Sequence, residues 1–513
     1  MLGVDGLFHS WWGELLLVLL VTLVATRIYA SYVFSYWDRR GLASCSGRIP
    51  FGSIGDFVLQ RKAITEVYGD IHRQGEGHKL YGYYSFFTPS LLIRDPELIR
   101  LVLVKDFPHF MNRGAYYNEK DDPLSAHVFS LDGEEWKKIR AKVSPFYATN
   151  KMKFMFDTIK SCSVGLQRFL LESLSMCKSE FECKNLMSKY SIDVIAKTAI
   201  GMEGNNYKDR NMLSEMSFKV TDPDDILQTF RFSLPFINRN LASFLKIRFT
   251  PKETEDYYLG AVRQIIEQRR KENIVKNDFM HLLLQMKGKS DTLDKGAGGL
   301  TVEEIAAQTF VFILAGHETS SSTIAFCLHE LALNNRIQQQ LLSEIDSAGC
   351  SIEHITFDEI QNLEYLDAVI QETLRKYPPA GVLLRECIKD YVCPDGFLIK
   401  QGTRLQVSSY GLHHDPKFFP NPDKFDPKRF DKNSPSHDIV PFSYLPFGEG
   451  PRFCIGKRFA IFTVKLGLYA ILSKFRVEST GKSAPTVTFN PALFLNSPKD
   501  GIYVRFVPRT AKA

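Results

Sequence analysis

The stretch Pro446-Phe-Gly-Glu-Gly-Pro-Arg-Phe-Cys-Ile-Gly456 sets one cysteine among glycines, phenylalanines and an arginine. Glycines 448 and 450 allow backbone angles closed to other residues, and the run after Gly456 has helical periodicity. Cys454 thus lies at a helix amino end, where the dipole and free N–H groups stabilise a thiolate and Arg452 adds positive charge. A thiolate shielded by Phe447 and Phe453 and hydrogen-bonded by backbone N–H is what a soft iron ligand needs. A phosphate cradle is excluded, because the P-loop glycine five places before Gly456 is Pro451, and Lys457 precedes Arg458 instead of Ser or Thr.

Two further groups of residues could carry chemistry. In Ala315-Gly-His-Glu-Thr319, a helix places Phe312, Ala315, Gly316, Thr319 and Thr323 on one stripe, so small side chains open a notch beside a hydroxyl. That notch suits either a ligand or a close helix–helix contact. A zinc hydrolase is excluded, since the second histidine four residues after His317 is replaced by Ser321. Glu372-Thr-Leu-Arg375 pairs a carboxylate with a guanidinium opposite the stripe of Leu363, Leu366, Ile370 and Leu374. Read from spacing alone, it is an exposed pair contributing about 0.2–0.5 kcal/mol.

The elements that position these residues are mostly helical. Helical patterns dominate residues 96–377, and strands are expected near 80–94, 382–408 and in the last thirty residues, which gives a mainly α fold with a minor β part. The clearest helix starts at the capping box Thr301-Val-Glu-Glu304 and runs to Leu333, before Asn334 and Asn335. At about 1.5 Å per residue it is long enough to cross a whole domain. The polar, glycine-bearing stretch 287–299 before it reads as a surface loop.

The formal charge of +6 comes from 64 basic and 58 acidic residues spread along all 513 positions, a poor signature for nucleic-acid binding. Nine cysteines without a C-x-x-C pair suggest neither a zinc ribbon nor a disulfide framework. The amino terminus differs from the rest. Residues 15–25 are nearly unbroken Leu and Val, with Trp11 and Trp12 before them and Tyr29, Tyr32 and Tyr36 after them, an apolar rod between aromatic belts. A cleaved signal peptide would carry basic residues ahead of the run; here Asp5 and Glu14 precede it and Arg27, Arg39 and Arg40 follow. The positive-inside rule then puts the amino end in the lumen and the remainder in the cytosol. Residues 1–40 are read as a membrane anchor with its flanks and 41–513 as one catalytic domain.

Taken together, Phe447-x-x-Gly450-x-Arg452-x-Cys454-x-Gly456, Ala315-Gly-x-Glu-Thr319, Glu372-x-x-Arg375 and Pro427-Lys-Arg-Phe430 occur in the order of the cytochrome P-450 superfamily, which this chain resembles over nearly its whole length. The anchor resembles that of the microsomal members, and the flavour is that of the insect xenobiotic-oxidising branch. The proline-rich hinge common after such anchors is reduced to Gly47-Arg-Ile-Pro-Phe-Gly52.

The resemblance implies haem b with Cys454 as its metal ligand, pushing electron density onto the iron. It further implies Trp136, Arg140, Arg385 and Arg452 as haem-propionate donors, since forked guanidiniums pair two carboxylate oxygens at once. Phe447 and Gly456 shape the cysteine loop, Ala315 and Gly316 leave room for dioxygen, and Glu318 and Thr319 are the catalytic pair that holds water and relays protons. Glu372, Arg375 and Arg429 become a structural ion network near the haem. Substrate contacts are expected by position at His127, Val128, Phe129, Phe312, Val382 to Leu384 and Leu493 to Leu495. Residues 230–237 and the basic, apolar stretch after them are expected either to dip into the membrane or to pack as core.

The implied reaction is monooxygenation of a small lipophilic molecule at the endoplasmic reticulum membrane. Without a Gly-x-Gly-x-x-Gly after a strand, its electrons come from a separate NADPH-cytochrome P-450 reductase, with cytochrome b5 as a second donor. Lys137, Lys138, Lys142 and Lys457 offer that reductase a basic face. The partners are therefore lipid, O2 and substrate, with no nucleic acid. The alternatives are a biosynthetic hydroxylase of a steroid, fatty acid or terpenoid, a haem-thiolate isomerase, and a non-catalytic haem or lipid binder. The Glu318-Thr319 pair favours a monooxygenase over the isomerase, and the intact motifs disfavour the binder.

Overall fold

The structure is a computed structural model that describes residues 4–202, 207, 212–220, 239–273, 278–285, 299–431, 434 and 438–509, with scattered positions between 222 and 235. The expected loop at 287–299 and most of 230–237 lie outside these residues.

The chain begins with one uninterrupted helix, α1 (Val4–Phe34), whose leucines and valines from Leu15 to Val24 stand fully out from the protein. By length and apolarity this region can cross a membrane. Its far end is packed instead of free. Ala30, Val33 and Trp37 are buried, and the Phe34 ring lies 5.7 Å from Phe87 and 5.2 Å from Tyr84. Trp37 Nε1 donates to the Tyr83 carbonyl at 3.3 Å, and Tyr84 Oη donates to the Phe34 carbonyl at 2.7 Å. Gly82 makes the fit possible, since a Cβ there would sit 2.5 Å from the Trp37 ring.

Strands β1 (Leu80–Ser85), β2 (Thr88–Ile93), β3 (Glu180–Glu182), β4 (Val382–Glu386), β5 (Arg404–Ser408), β6 (Phe475–Ser479) and β7 (Tyr503–Pro508) build two sheets, and Tyr391–Val392 pairs with Leu398–Ile399 in a third. The first sheet has the order β1-β2-β5-β4, with Leu80 opposite Ile93, Ser90 opposite Arg404 in parallel, and Val382 opposite Ser408. The second runs β3-β7-β6, pairing Phe181 with Val504 and Val477 with Phe506. Two of these strands, β3 and β6, fall outside the expected regions.

The helices that matter for the site are α2 (Gly133–Val143), α3 (Thr149–Ser175), α4 (Cys183–Ile200), α5 (Val302–Leu333), α6 (Glu364–Lys376) and α7 (Lys457–Leu472). The capping box of α5 is present: Glu304 N donates to Thr301 Oγ1 at 3.1 Å and Thr301 N to Glu304 Oε2 at 2.8 Å. Although α5 is also long and apolar enough to span a bilayer, most of it is buried, from Ile305 through Leu331, so it is a core helix. Each fully buried Ile, Leu or Phe there contributes about 1.5–3 kcal/mol.

The Glu372–Arg375 pair is not on a surface, correcting the reading from spacing. Both residues are 0 % exposed, because the segment around Pro422–Asp426 covers that face of α6. Arg375 Nε and Nη2 donate to the two carboxylate oxygens at 2.7 and 2.9 Å. Its remaining protons go to the carbonyls of His413 and Pro422, and Asp426 N donates to Glu372 Oε1 at 2.8 Å. Arg429 adds its charge 3.5 Å from that oxygen.

Candidate active site

Cys454 is held by its own backbone: its N–H donates to the Phe447 carbonyl at 2.8 Å, closing the loop just before α7. Gly448 and Gly450 take positive φ, and a Cβ on Gly450 would meet the Leu103 carbonyl at 1.8 Å, so only glycine lets the loop press on that neighbour. The cysteine has accessible area, yet it lies deep enough for burial to dominate its electrostatics. Both hold for the wall of an internal cleft.

Burial pushes the Cys454 thiol up, against the N–H of Gly456 and then Arg140, Arg113 and Lys457, which pull it down. The net direction is upward, so the helix end alone does not make a thiolate. A bound metal cation would supply the missing stabilisation. Arg452, expected to lend its charge to the cysteine, turns elsewhere: its guanidinium lies 4.1 Å over the Trp136 ring. Arg140 instead reaches the loop, 4.9 Å over Phe453.

Above the loop, the middle of α5 is open on one side. Ala315 is exposed and Thr319 partly so, while Ile313, His317 and Ser320 around them are buried. The Phe312 and Phe459 rings, 5.6 Å apart, tie the turn before Ala315 to the first turn of α7, so both openings belong to one region. Phe312 itself packs among Phe146, Tyr147 and Phe279 as core, which removes it from the expected substrate contacts. Gly316 also differs from expectation. A Cβ there would lie 2.5 Å from Ile195 Cδ1 of α4, so its smallness serves helix packing and not room for a ligand.

The expected catalytic pair splits in direction. Thr319 Oγ1 donates to the Ala315 carbonyl at 2.7 Å, leaving its lone pairs free. Glu318 turns toward α4, where Lys184 Nζ stands 2.9 Å from its carboxylate. Burial raises the Glu318 carboxyl, but Lys184 and then His317 outweigh it, and the group stays below the usual carboxylate range. Of the other expected contacts, His127 is buried and pushed down to about 3 by burial, hence neutral. Val128 N donates to Gln308 Oε1 at 2.9 Å, and Phe129 lies 4.4 Å from the Arg113 guanidinium.

Four guanidiniums converge beside the cysteine. Arg452 Nε and Nη2 donate to the carbonyls of Met111 and Leu131 at 2.9 and 2.8 Å, while its Nη1 has no partner. Arg385 donates to its neighbour's carbonyl at 2.7 Å and leaves Nε unpaired. Arg113 donates to the carbonyls of Phe129 and Arg452 at 2.9 and 3.1 Å. Burial, then mutual repulsion with Arg113, pushes Arg452 down to about 8 and Arg385 to about 9; burial, then Arg140, pushes Arg113 to about 10. The carboxylate of Asp132 stands 3.4 Å from Arg452 and 3.8 Å from Arg239. Guanidiniums keep their protons in water at ordinary pH, so this cluster is relieved by gaining anions. Buried donors short of negative charge beside a soft sulfur fit a metal macrocycle bearing two carboxylates.

Arg113 is a site residue that motif reading missed. It lies in a loop, Met-Asn-Arg-Gly114, whose only local signal is the following glycine at φ +67°. Lys184 was missed as well, because it reaches the site across a helix interface.

A family model described as Cytochrome P450 matches residues 51–504. Cytochrome P450 6A1 of Musca domestica is 34% identical over 505 residues, covering 96% of this chain and 97% of that protein. Cytochrome P450 6a2 of Drosophila melanogaster is 35% identical over 508 residues, with 95% and 99% covered, and cytochrome P450 6k1 of Blattella germanica is 34% identical over 518 residues, with 97% and 98% covered. The protein whose cysteine loop, cleft and arginine cluster are described above therefore belongs to the cytochrome P450 family, monooxygenases that carry haem b.

Proposed function

We propose that this chain is a membrane-bound monooxygenase that inserts one oxygen atom of O2 into small lipophilic substrates, xenobiotics such as plant toxins or insecticides among them. Its electrons come from NADPH through a separate reductase, with cytochrome b5 as a further donor. Residues 1–40 anchor it in the endoplasmic reticulum membrane by one crossing, leaving 41–513 in the cytosol. The kinship with insect proteins supports the substrate class, and the exposed Leu and Val face of α1 supports the anchor.

Haem supplies the activation of dioxygen. The chain's own residues hold and aim it: Cys454 takes the iron, and Trp136, Arg113, Arg140, Arg385 and Arg452 take the propionates. Phe447 and Gly456 shape the cysteine loop. Ala315 keeps the wall of the cleft low, and Thr319 and Glu318 hold water and move protons toward it. The basic face for the reductase is Lys137, Lys138, Lys142 and Lys457, of which Lys137 also pairs with Glu134 at 2.6 Å in an exposed ion pair. The observation that carries this reading is the set of unpaired guanidinium donors beside Cys454.

Its test is twofold. The reduced, carbon-monoxide-bound protein should show the red-shifted Soret band of a thiolate ligand, and Cys454→Ser should lose it. Product from a lipophilic probe should require both NADPH and added reductase; product without them would point to an isomerase, and no product with them to a binder. Charge reversal at Lys138 and Lys457 should slow reduction most at low salt, and an unchanged rate would remove the docking face.

A further inference from the structure

We infer that Lys184 is a positioning residue for proton delivery: it holds the Glu318 carboxylate on the α4 side of α5, so that protons reach Thr319 through the polar seam between these two helices. The inference rests on the monooxygenase reading, which requires two protons and two electrons for each dioxygen that ends as one product oxygen and one water.

The seam is built from both helices. On α4, Lys184, Ser188, Ser191 and Ile195 recur at helical spacing on one face. Ile195 meets α5 at Gly316, which fixes that face as the contact. Lys184 Nζ donates to Ser188 Oγ at 3.1 Å, to Ser321 Oγ at 3.0 Å and to Glu318 Oε1 at 2.9 Å, so all three of its protons are placed. A lysine pinned by three acceptors from two helices fixes where the carboxylate points.

Unpaired polar atoms line the same interface. His317 Nε2, Ser320 Oγ and Ser191 Oγ are buried without a partner. Buried polar groups in native proteins are satisfied by protein or ordered water, so such a set marks a path that water can thread. The Lys184 and Glu318 side chains keep 15% and 13% of their area, so the seam is not sealed around them and water can reach the pair. Burial holds His317 near 4, so near neutral pH it is an uncharged member of the path.

The proton bookkeeping closes without another reagent. A proton from solvent adds to the Glu318 carboxylate and leaves it along water held on the Thr319 hydroxyl, whose lone pairs accept from that water while its own proton stays on the Ala315 carbonyl; two protons moved in this way end in the one water formed per dioxygen. The carboxylate is thereby restored, still beside Lys184. Electrons arrive separately, from the reductase.

The test uses the full-length holoenzyme with reductase. In Lys184→Met the carboxyl of Glu318, freed of its partner, should show the infrared band of a protonated acid at neutral pH, absent from the wild type and lost again in Lys184→Met/Glu318→Gln. The share of NADPH electrons released as hydrogen peroxide should rise several-fold while the carbon-monoxide-bound Soret band is unchanged, and Lys184→Arg should restore both readouts. Absence of the new band, or an unchanged peroxide share, overturns the inference. Peroxide release requires no identified substrate, so a wrong substrate class would leave both readouts intact.

Discussion

Two buried arginine clusters in this protein answer opposite needs. Around Arg375, which is 0 % exposed, the fork is met by both oxygens of Glu372 and by the carbonyls of His413 and Pro422. Around Arg452 and Arg385, equally buried, donors are left over and the neighbouring charges repel. The first cluster is complete as folded, so its function is to join α6 to the segment at 420–430. The second keeps donors over among the described residues, which the carboxylates of the proposed haem would take. Saturation of the donors, rather than burial or arginine content, separates a structural ion pair from a ligand site.

The largest effect should come from breaking the saturated pair. Arg375→Ala leaves a buried carboxylate without its partner, at a cost of about 3–5 kcal/mol. Denaturant melts should show it with and without haem, and a loss confined to the haem-bound form would contradict the comparison. Next in size, Arg385→Met should weaken haem binding roughly tenfold to a hundredfold, the equivalent of one charge-assisted hydrogen bond, as read by haem titration of the haem-free protein. Its haem-free stability should hold or rise, because one repelling charge is gone; a fall of the size seen for Arg375→Ala would make the two clusters alike. The smallest effect sharpens the contrast. Succinate, a dicarboxylate, should stabilise the haem-free wild type by about 1 kcal/mol or less through binding to the native state, and should do less for Arg385→Met.

Much of this arrangement is legible in the sequence where the information is local. The Thr301–Glu304 box and Asn334 frame α5 because capping is settled within one turn. Cys454 and its glycines declare their loop because the strain and its relief share the same few residues. What is decided across the fold was missed. Three residues, Glu180–Glu182, form a strand only because β7, near the far end of the chain, lies beside them. The face of Glu372 opposite the apolar stripe looks solvated until the segment ending at Asp426 folds over it. Arg113, Lys184 and the Ile195 contact at Gly316 likewise depend on which neighbour arrives, and side-chain periodicity in one helix carries no record of that.

The packed foot of α1 gives the molecule no swivel. With Val33, Phe34 and Trp37 set against the β1–β2 hairpin, the final turns of the rod and the sheet move as one piece. Were α1 to cross a bilayer thinner than the rod's apolar length, part of the mismatch would be taken up as tilt. Such a tilt would pass through the Phe34 and Trp37 contacts into the β1–β2 hairpin, so lipid thickness would bear on the pitch of the sheet that α1 meets.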